Sequence, residues 1–284
     1  MKLNDINIRD PFIILENKTY YMYGTRAKKF GRKTGGFDVY TSSDLENWSK
    51  PIECFNSEIN GLNEGENWAP EVHRYNGKYY MFATFRQKND LRGVFILKSD
   101  KPAGPFLKYS VGAITPENWE CLDGTLYIDK TGQPYIVFCH EHTQIKDGTI
   151  CYMKLNEDLK TPVSEPILIF SASSPKWVKF KLSFKHYITD GPFMYRTSTG
   201  KLLMLWSTTI NHKYAIAVAE SDNNEIDGNF TQQEPLFTQD GGHSMIFKAG
   251  DKLMITYHTP NRTNFERPVI RELKDNGETI IISD

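Results

Sequence analysis

The chain has 284 residues, and its 34 basic and 35 acidic side chains give a formal net charge of −1 at pH 7. This near balance argues against a nucleic-acid partner, because phosphate binding normally needs a clear basic excess. The sequence contains no apolar run of membrane-spanning length, and its first twelve residues lack the apolar core of a signal peptide. We therefore expect no membrane partner and a cytoplasmic location, unless a leader has been removed.

Aromatic residues make up 13% of the chain, and it also contains 20 Gly and 14 Pro. This composition predicts many short strands joined by tight turns. The four cysteines show no zinc-like spacing, so we expect reduced thiols.

One sequence unit recurs five times along the chain. The units begin at Asp10, Glu71, Asp123, Asp190 and His243, which are 61, 52, 67 and 53 residues apart. Each unit contains three or four alternating apolar and polar runs of normal strand length, and links such as YNGK, DKTG and TSTG are typical hairpin turns. The pattern predicts an all-β, five-bladed β-propeller, with residues 1–284 as a single domain.

The fifth unit already contains four strand-like runs, at 242–248, 252–258, 268–273 and 278–283, and only nine residues precede Asp10. Little chain is left to donate a closing strand. We therefore predict that side-chain packing between units one and five seals the ring. The basic run 26–33 is expected to be a solvated loop.

In a propeller the first strand of each blade lines the central channel, and the second strand runs antiparallel beside it. The start of the first strand and the end of the second therefore lie on the same face. We expect the five starting residues to meet at one mouth of the channel, together with Trp68 and the second-strand ends that carry Glu141 and His258.

Separated carboxylates in a polar funnel that lacks a metal motif indicate glycoside hydrolysis. One carboxylate activates water, a second protonates the leaving oxygen, and a third charge raises the pKa of that acid. Carboxylates on opposite sides of a channel favour the inverting reaction, which needs about 6.5–9.5 Å between them to hold the attacking water.

Five motifs, RDPF at 9–12, WAPE at 68–71, LDGTLYID at 122–129, TDGPFMYR at 189–196 and GGHSMIF at 241–247, together resemble glycoside hydrolase family 43. The chain looks like the branch of arabinofuranosidases and galactofuranosidases. The resemblance implies a five-bladed catalytic propeller with inverting, exo-acting hydrolysis. It also implies that Asp10 is the general base, that Asp123 tunes and orients the acid, and that His243 is similar to a central histidine that lies beside a calcium ion in some relatives.

One position departs from the family pattern. The family usually has Glu before Gly-Pro in the fourth unit as the general acid, whereas this chain has Asp190, which is one methylene shorter. Either Asp190 is the acid for a more deeply seated substrate, or the acid is Glu141 at the end of the neighbouring unit's second strand. A third alternative is a site that only binds sugar.

Four further residues are predicted substrate-binding residues, each with a structural alternative. Trp68 either stacks on a sugar ring or seals two blades, and Glu71 either binds sugar hydroxyls or buttresses Arg9. His258 is either a ligand or a structural imidazole, and Arg267 either reaches the pocket or stays in solvent.

The expected substrate is an oligosaccharide or glycoside from plant or microbial glycans. The expected product is a terminal furanose, α-L-arabinofuranose first and β-D-galactofuranose second. β-Xylosidase activity is the alternative within the enzymes, and a non-catalytic sugar-binding propeller is the alternative outside them. No cofactor is required by this chemistry, apart from the calcium ion that the resemblance suggests.

Overall fold

The computed structural model describes residues 1–27, 35–63, 65–178 and 186–283. Most of the basic run 26–33 lies outside these residues. The described part folds into five four-stranded antiparallel sheets, each made of four consecutive strands. The helical segments are short: a 3-10 helix at Leu3–Asp5 and an α-helix, α1, at His142–Ile145. Within the described ranges, neither the length nor the apolar character needed to cross a bilayer occurs in any helix.

The twenty strands follow the predicted repeat. The first blade contains β1 (Ile8–Glu16), β2 (Thr19–Arg26), β3 (Phe37–Ser42) and β4 (Ile52–Phe55). The second contains β5 (Trp68–Tyr75), β6 (Lys78–Arg86), β7 (Arg92–Ser99) and β8 (Leu107–Lys108). The third contains β9 (Cys121–Ile128), β10 (Pro134–His140), β11 (Thr149–Lys154) and β12 (Ile167–Ser171). The fourth contains β13 (Asp190–Arg196), β14 (Leu202–Ile210), β15 (Lys213–Ser221) and β16 (Phe230–Gln232). The fifth contains β17 (Gly242–Ala249), β18 (Lys252–Thr259), β19 (Arg267–Asp275) and β20 (Ile280–Ile282).

The innermost strands β1, β5, β9, β13 and β17 contact one another in a ring, and β17 returns to β1. The predicted five-bladed β-propeller is therefore confirmed.

The core consists of apolar layers between successive blades. Phe37 and Phe55 of the first blade, for example, pack on Phe85 of the second, with ring centroids 5.9 and 5.5 Å away. At the closing interface, Phe12 belongs to the same buried cluster as Phe247 of the fifth blade. Burial of such large apolar side chains is the main favourable term in folding. The predicted closure by side-chain packing is thus confirmed.

Each innermost strand contains a β-bulge, where two of its residues lie opposite one residue of the second strand. The first bulged residue has a positive φ in every blade: Asp10 (54°), Ala69 (46°), Asp123 (55°), Gly191 (48°) and His243 (53°). Asp10, Asp123 and His243 therefore share one structural position. The prediction that Glu71 and Asp190 share this position is wrong, because Asp190 lies one residue before the bulge and Glu71 lies two residues after Ala69.

Candidate active site

A cavity of about 460 Å³ lies at the mouth of the channel where the innermost strands begin. Its volume is in the range that holds a small ligand. Six of the nine predicted site residues line it, namely Asp10, Trp68, Asp123, Glu141, Asp190 and His243. The bulges account for Asp10, Asp123 and His243, which occupy the same bulge position in three blades. Trp68 and Asp190 each lie one residue before a bulge, and Glu141 directly follows the second strand β10.

Glu71 is only 4% exposed and lies outside the lining of this cavity. Its carboxylate Oε2 lies 3.3 Å from Nε2 of His73, on the same strand. The predicted partnership of Glu71 with Arg9 is therefore wrong. Arg9 Nη1 instead donates to Oε1 of Glu266 at 3.2 Å, across the closing interface of the ring.

His258 is fully buried and, like Arg267, does not line the cavity as far as the structure describes it. The ring nitrogen Nδ1 of His258 accepts the backbone N–H of Asp10 at 3.2 Å, which makes it a support for Asp10 rather than a substrate contact. Arg267 donates to the backbone carbonyl oxygens of Asn4 and Glu266. His258 thus has no exposed surface for a substrate to contact, whereas direct substrate binding by Arg267 stays a prediction.

Asp10 is held as a buried carboxylate. Thr25 Oγ1 donates to its Oδ2 at 2.6 Å, and Nδ1 of His243 lies 3.2 Å from its Oδ1. Burial by itself raises the pKa of Asp10, but the charges of His243 and Arg9 outweigh burial and lower the pKa to about 2. Asp10 is therefore ionised at neutral pH.

Asp123 lies on the other side of His243, whose Nδ1 is 3.7 Å from its Oδ2. The same oxygen accepts the backbone N–H of Gly191 at 3.0 Å. Burial and the charge of Asp10 together raise the pKa of Asp123 to about 6, against the charge of His243, which lowers it. Burial lowers the pKa of His243, but the charges of Asp10 and Asp123 raise it above its ordinary value.

Gly191 is a residue that this packing requires. A Cβ atom at this position would lie 2.8 Å from the His243 ring, and the backbone φ is +48°. The close approach of the imidazole requires glycine here, whereas the positive φ alone does not, because Asp10, Ala69, Asp123 and His243 adopt it at the same position of their blades.

Asp190 is partly exposed to the cavity, and the hydroxyl of Tyr214 donates to its Oδ2 at 3.0 Å. Burial, followed by the charges of Asp123 and Glu141, raises the pKa of Asp190 to about 8. At neutral pH this carboxyl group therefore carries a proton, as a general acid requires.

Glu141 is held by three neighbours. Its Oε2 accepts from Thr143 Oγ1 at 2.6 Å and from Arg92 Nη2 at 3.2 Å, and its Oε1 lies 3.2 Å from Nε2 of His142. The Arg92 guanidinium lies 4.7 Å from the ring centroid of Trp68. It therefore connects Glu141 to the aromatic wall of the cavity.

Sequence reasoning missed Tyr214 and Arg92 because it considered only first and second strands. Both residues lie at the start of a third strand, Arg92 in β7 and Tyr214 in β15. A third strand begins at the face where the second strand ends. The order of strands within a blade could therefore have placed Arg92 and Tyr214 at the mouth of the channel. Glu266 was missed as well, because it lies between strands, on the loop before β19.

The calcium ion suggested by the resemblance remains a prediction. Nε2 of His243 is buried without a hydrogen-bond partner. Calcium, however, takes oxygen ligands, and no group of three or more His, Cys, Asp or Glu side chains suited to a metal occurs among the described residues. These residues therefore do not form a protein ligand set for calcium, and no catalytic step is derived through it.

The sequence profile of "Glycosyl hydrolases family 43" matches residues 5–282. The chain belongs to this family. It is therefore a glycoside hydrolase that acts on oligosaccharide or polysaccharide substrates, and the predicted resemblance is confirmed.

Three known proteins are similar to this chain. The crystal structure of an endo-arabinase from Bacteroides thetaiotaomicron VPI-5482 is 40% identical, covers 96% of each chain and has a TM-score of 0.88. An endo-1,4-beta-xylanase structure from the same organism is 22% identical, covers 98% of this chain and 95% of its own, and has a TM-score of 0.82, which shows the shared fold alone.

The third relative is the extracellular endo-alpha-(1->5)-L-arabinanase 1 of Bacillus subtilis (strain 168), which is 27% identical over 141 residues. This match spans 46% of the present chain and 42% of the relative. The cytoplasmic location expected for the present chain stays a prediction.

Proposed function

We propose that this family 43 enzyme hydrolyses α-1,5-linked L-arabinofuranosyl chains at internal linkages, with inversion at the anomeric carbon. The observation that carries the proposal is the 40% identity over 96% of both chains to a protein described as an endo-arabinase. The curated relative named as an endo-arabinanase supports the same linkage. Exo-acting release of terminal furanosyl residues, which the sequence analysis predicted, is the alternative mode.

Asp10 is the general base in this proposal. Thr25 donates to its Oδ2 and His243 lies 3.2 Å from its Oδ1, and the ionised carboxylate keeps further lone pairs that can take the proton of the attacking water. His243 and Arg9 keep the carboxylate ionised before the reaction. The two cations also hold Asp10 in one orientation, which reduces the entropy lost on reaching the transition state.

Asp190 is the general acid in this proposal. The Tyr214 hydroxyl donates to Oδ2, so the acid proton resides on Oδ1, for which the described residues provide no hydrogen-bond partner. Both oxygens of Glu141, in contrast, are engaged by Arg92, Thr143 and His142. Since a general acid needs an oxygen free to reach the leaving group, this difference favours Asp190.

Glu141 and Trp68 form the sugar-binding wall. The Trp68 indole packs against the Arg92 guanidinium and an apolar cluster, and the part of it that lines the cavity can contact a furanose ring. Because Arg92 also binds Glu120 and Glu141, the wall is fixed before substrate arrives. Such preorganisation lowers the entropic cost of binding.

Digestion of linear α-1,5-arabinan with the purified enzyme tests the proposal. Internal cleavage releases a range of oligosaccharides early, and proton NMR of the first-formed ends shows the β anomer. A digest that yields only arabinose from the start supports the exo-acting alternative. An α anomer at the first-formed ends overturns the inverting mechanism. Activity on β-1,4-xylan but not on arabinan overturns the substrate, and binding of arabinan without cleavage indicates the sugar-binding alternative.

The pH dependence follows from the site's charges. We expect kcat/KM to fall as the pH rises through about 8, where Asp190 loses its proton. It should also fall below about 6, because protonation of Asp123 weakens the hydrogen bond that its carboxylate accepts from Gly191, the residue after Asp190. The lowered pKa of Asp10 keeps the base ionised throughout this range. Rates measured from pH 4 to pH 10 check the expectation. Constant activity to pH 10 would remove Asp190 from the role of acid.

A further inference from the structure

The bulge of every innermost strand directs one backbone N–H toward the adjacent blade. In four of the five blades a side chain at the end of a second strand accepts it. Thr25 Oγ1 accepts from Ala69 at 2.7 Å, Thr84 Oγ1 from Asp123 at 3.1 Å, Ser207 Oγ from His243 at 2.7 Å and His258 Nδ1 from Asp10 at 3.2 Å. These four bonds link successive blades around the channel.

The four acceptors occupy equivalent positions. Each is paired, across the sheet, with the residue just before the bulge: Thr25 with Arg9, Thr84 with Trp68, Ser207 with Asp190 and His258 with Gly242. In the third blade the same register pairs Leu122 with Cys139. Cys139 therefore occupies the fifth acceptor position, and the hydrogen bond that it would accept comes from the backbone N–H of Gly191.

A thiol does not serve well as that acceptor. Cys139 is completely buried, and burial raises the pKa of its thiol well above the ordinary value, so the group is neutral. Neutral sulfur is a weak hydrogen-bond acceptor. The Gly191 amide instead donates to Oδ2 of Asp123 at 3.0 Å. The third blade is therefore the exception in an otherwise regular ring of hydrogen bonds between blades.

We infer that Cys139 is a positioning residue for Asp123 and Asp190. Because its thiol does not accept the hydrogen bond of the Gly191 N–H, that N–H donates to the Asp123 carboxylate instead. The hydrogen bond fixes Asp123 to the backbone unit that carries Asp190. It connects the two acids of the proposed mechanism without a direct contact between their side chains. The inference rests on the proposed function only for its effect on rate, since the geometry is independent of which acid donates the proton.

The bond also affects protonation. A backbone N–H donor stabilises the ionised form of Asp123 and so opposes the rise in its pKa that burial causes. The charged and titratable groups that act on Asp123 are His243, Asp10, Glu71, Asp190, Tyr214 and the Cys139 thiol itself, which also acts on Asp190. Those that act on Asp190 are Asp123, Glu141, His243, Tyr214 and Arg9. A substitution at Cys139 removes the neutral thiol, which Cys139→Ala removes as well, and leaves every other group in place.

A hydroxyl at position 139 tests the inference. In Cys139→Ser, and in Cys139→Thr, which repeats the residue of the first two blades, the new oxygen competes with Asp123 for the Gly191 amide. Weakening one hydrogen bond raises the pKa of Asp123, so the acid limb of the kcat/KM profile moves up by about half a pH unit. We also expect kcat to fall several-fold, while KM changes little.

Two further variants distinguish the effect of the new hydroxyl from the effect of losing the thiol. Cys139→Ala offers no acceptor, so the acid limb stays at its wild-type pH. Cys151→Ser places a hydroxyl at another buried cysteine, on the neighbouring strand β11, which is not one of the five acceptor positions at the second-strand ends. Thermal melting of every variant confirms that it is folded.

Carbon-13 NMR titration of aspartate-labelled protein provides a readout that does not need activity. A half-unit rise of one carboxyl titration near pH 6 in the folded serine or threonine variant, absent from the alanine variant, supports the inference. Wild-type titration in both hydroxyl variants overturns it, as does an equal shift in Cys139→Ala. If the wild type does not cleave arabinan, the proposed function fails, and the titration still decides the role of Cys139.

Discussion

Asp10→Asn lowers kcat on an arabinan oligosaccharide by about 10²- to 10⁴-fold, the range expected when a general base is lost. The amide cannot take a proton from water. It keeps the shape of the carboxylate, and its oxygen still accepts from Thr25, so KM and the melting temperature change little. Steady-state kinetics and thermal melting of the purified variant are the measurements.

The matched control is Asp251→Asn, in the exposed turn between β17 and β18 at the far end of the fifth blade. We expect it to have wild-type kinetics. An Asp10→Asn enzyme with a tenth of the wild-type rate would falsify the assignment of the base. A large loss of stability in Asp10→Asn would instead indicate that the carboxylate mainly neutralises His243 and Arg9.

Asp190→Asn and Glu141→Gln differ in how their rates depend on the leaving group. A general acid is essential for a poor leaving group and almost dispensable when a stable phenolate departs. We therefore expect Asp190→Asn to lose most of its activity on an arabinan oligosaccharide but to retain much of it on an activated aryl arabino-oligosaccharide. Glu141→Gln should be impaired to a similar extent on both substrates, because it weakens sugar binding.

Comparison of kcat/KM for both variants on both substrates decides the assignment. The opposite pattern would make Glu141 the acid and leave Asp190 to bind sugar. Equal losses on both substrates in both variants would exclude both residues. Tyr214→Phe is a useful companion variant, since it removes the hydroxyl that donates to Oδ2 of Asp190 and leaves the ring stacked on His258. It should shift the alkaline limb of the pH profile without abolishing activity.

The sequence by itself determined the architecture. Alternating runs, hairpin turns and five recurrences of one unit predicted five blades, because these features are local and each blade is made of four consecutive strands. The four strand-like runs of the last unit correspond to β17–β20, so even the closure of the ring followed from counting. Motif order identified the family for the same reason, since Asp10, Asp123 and His243 are each embedded in short, ordered motifs.

Only the tertiary structure decided the finer arrangement of the site. The bulges set which residue of each strand points along the channel, and a shift of one or two positions separates Asp190 and Glu71 from Asp10 and Asp123. Such shifts depend on packing against the adjacent blade, not on the residue pattern of the strand itself.

Partners from distant parts of the chain were equally inaccessible to sequence reasoning. Arg9 pairs with Glu266, 257 residues away, and the Gly191 amide reaches Asp123 from the next blade, 68 residues away. His258 is buried against Asp10 because the ring closes between the first and last blades, which turns an apparent ligand into a support. The physical reason is that these contacts exist only once five separately encoded blades surround a common axis.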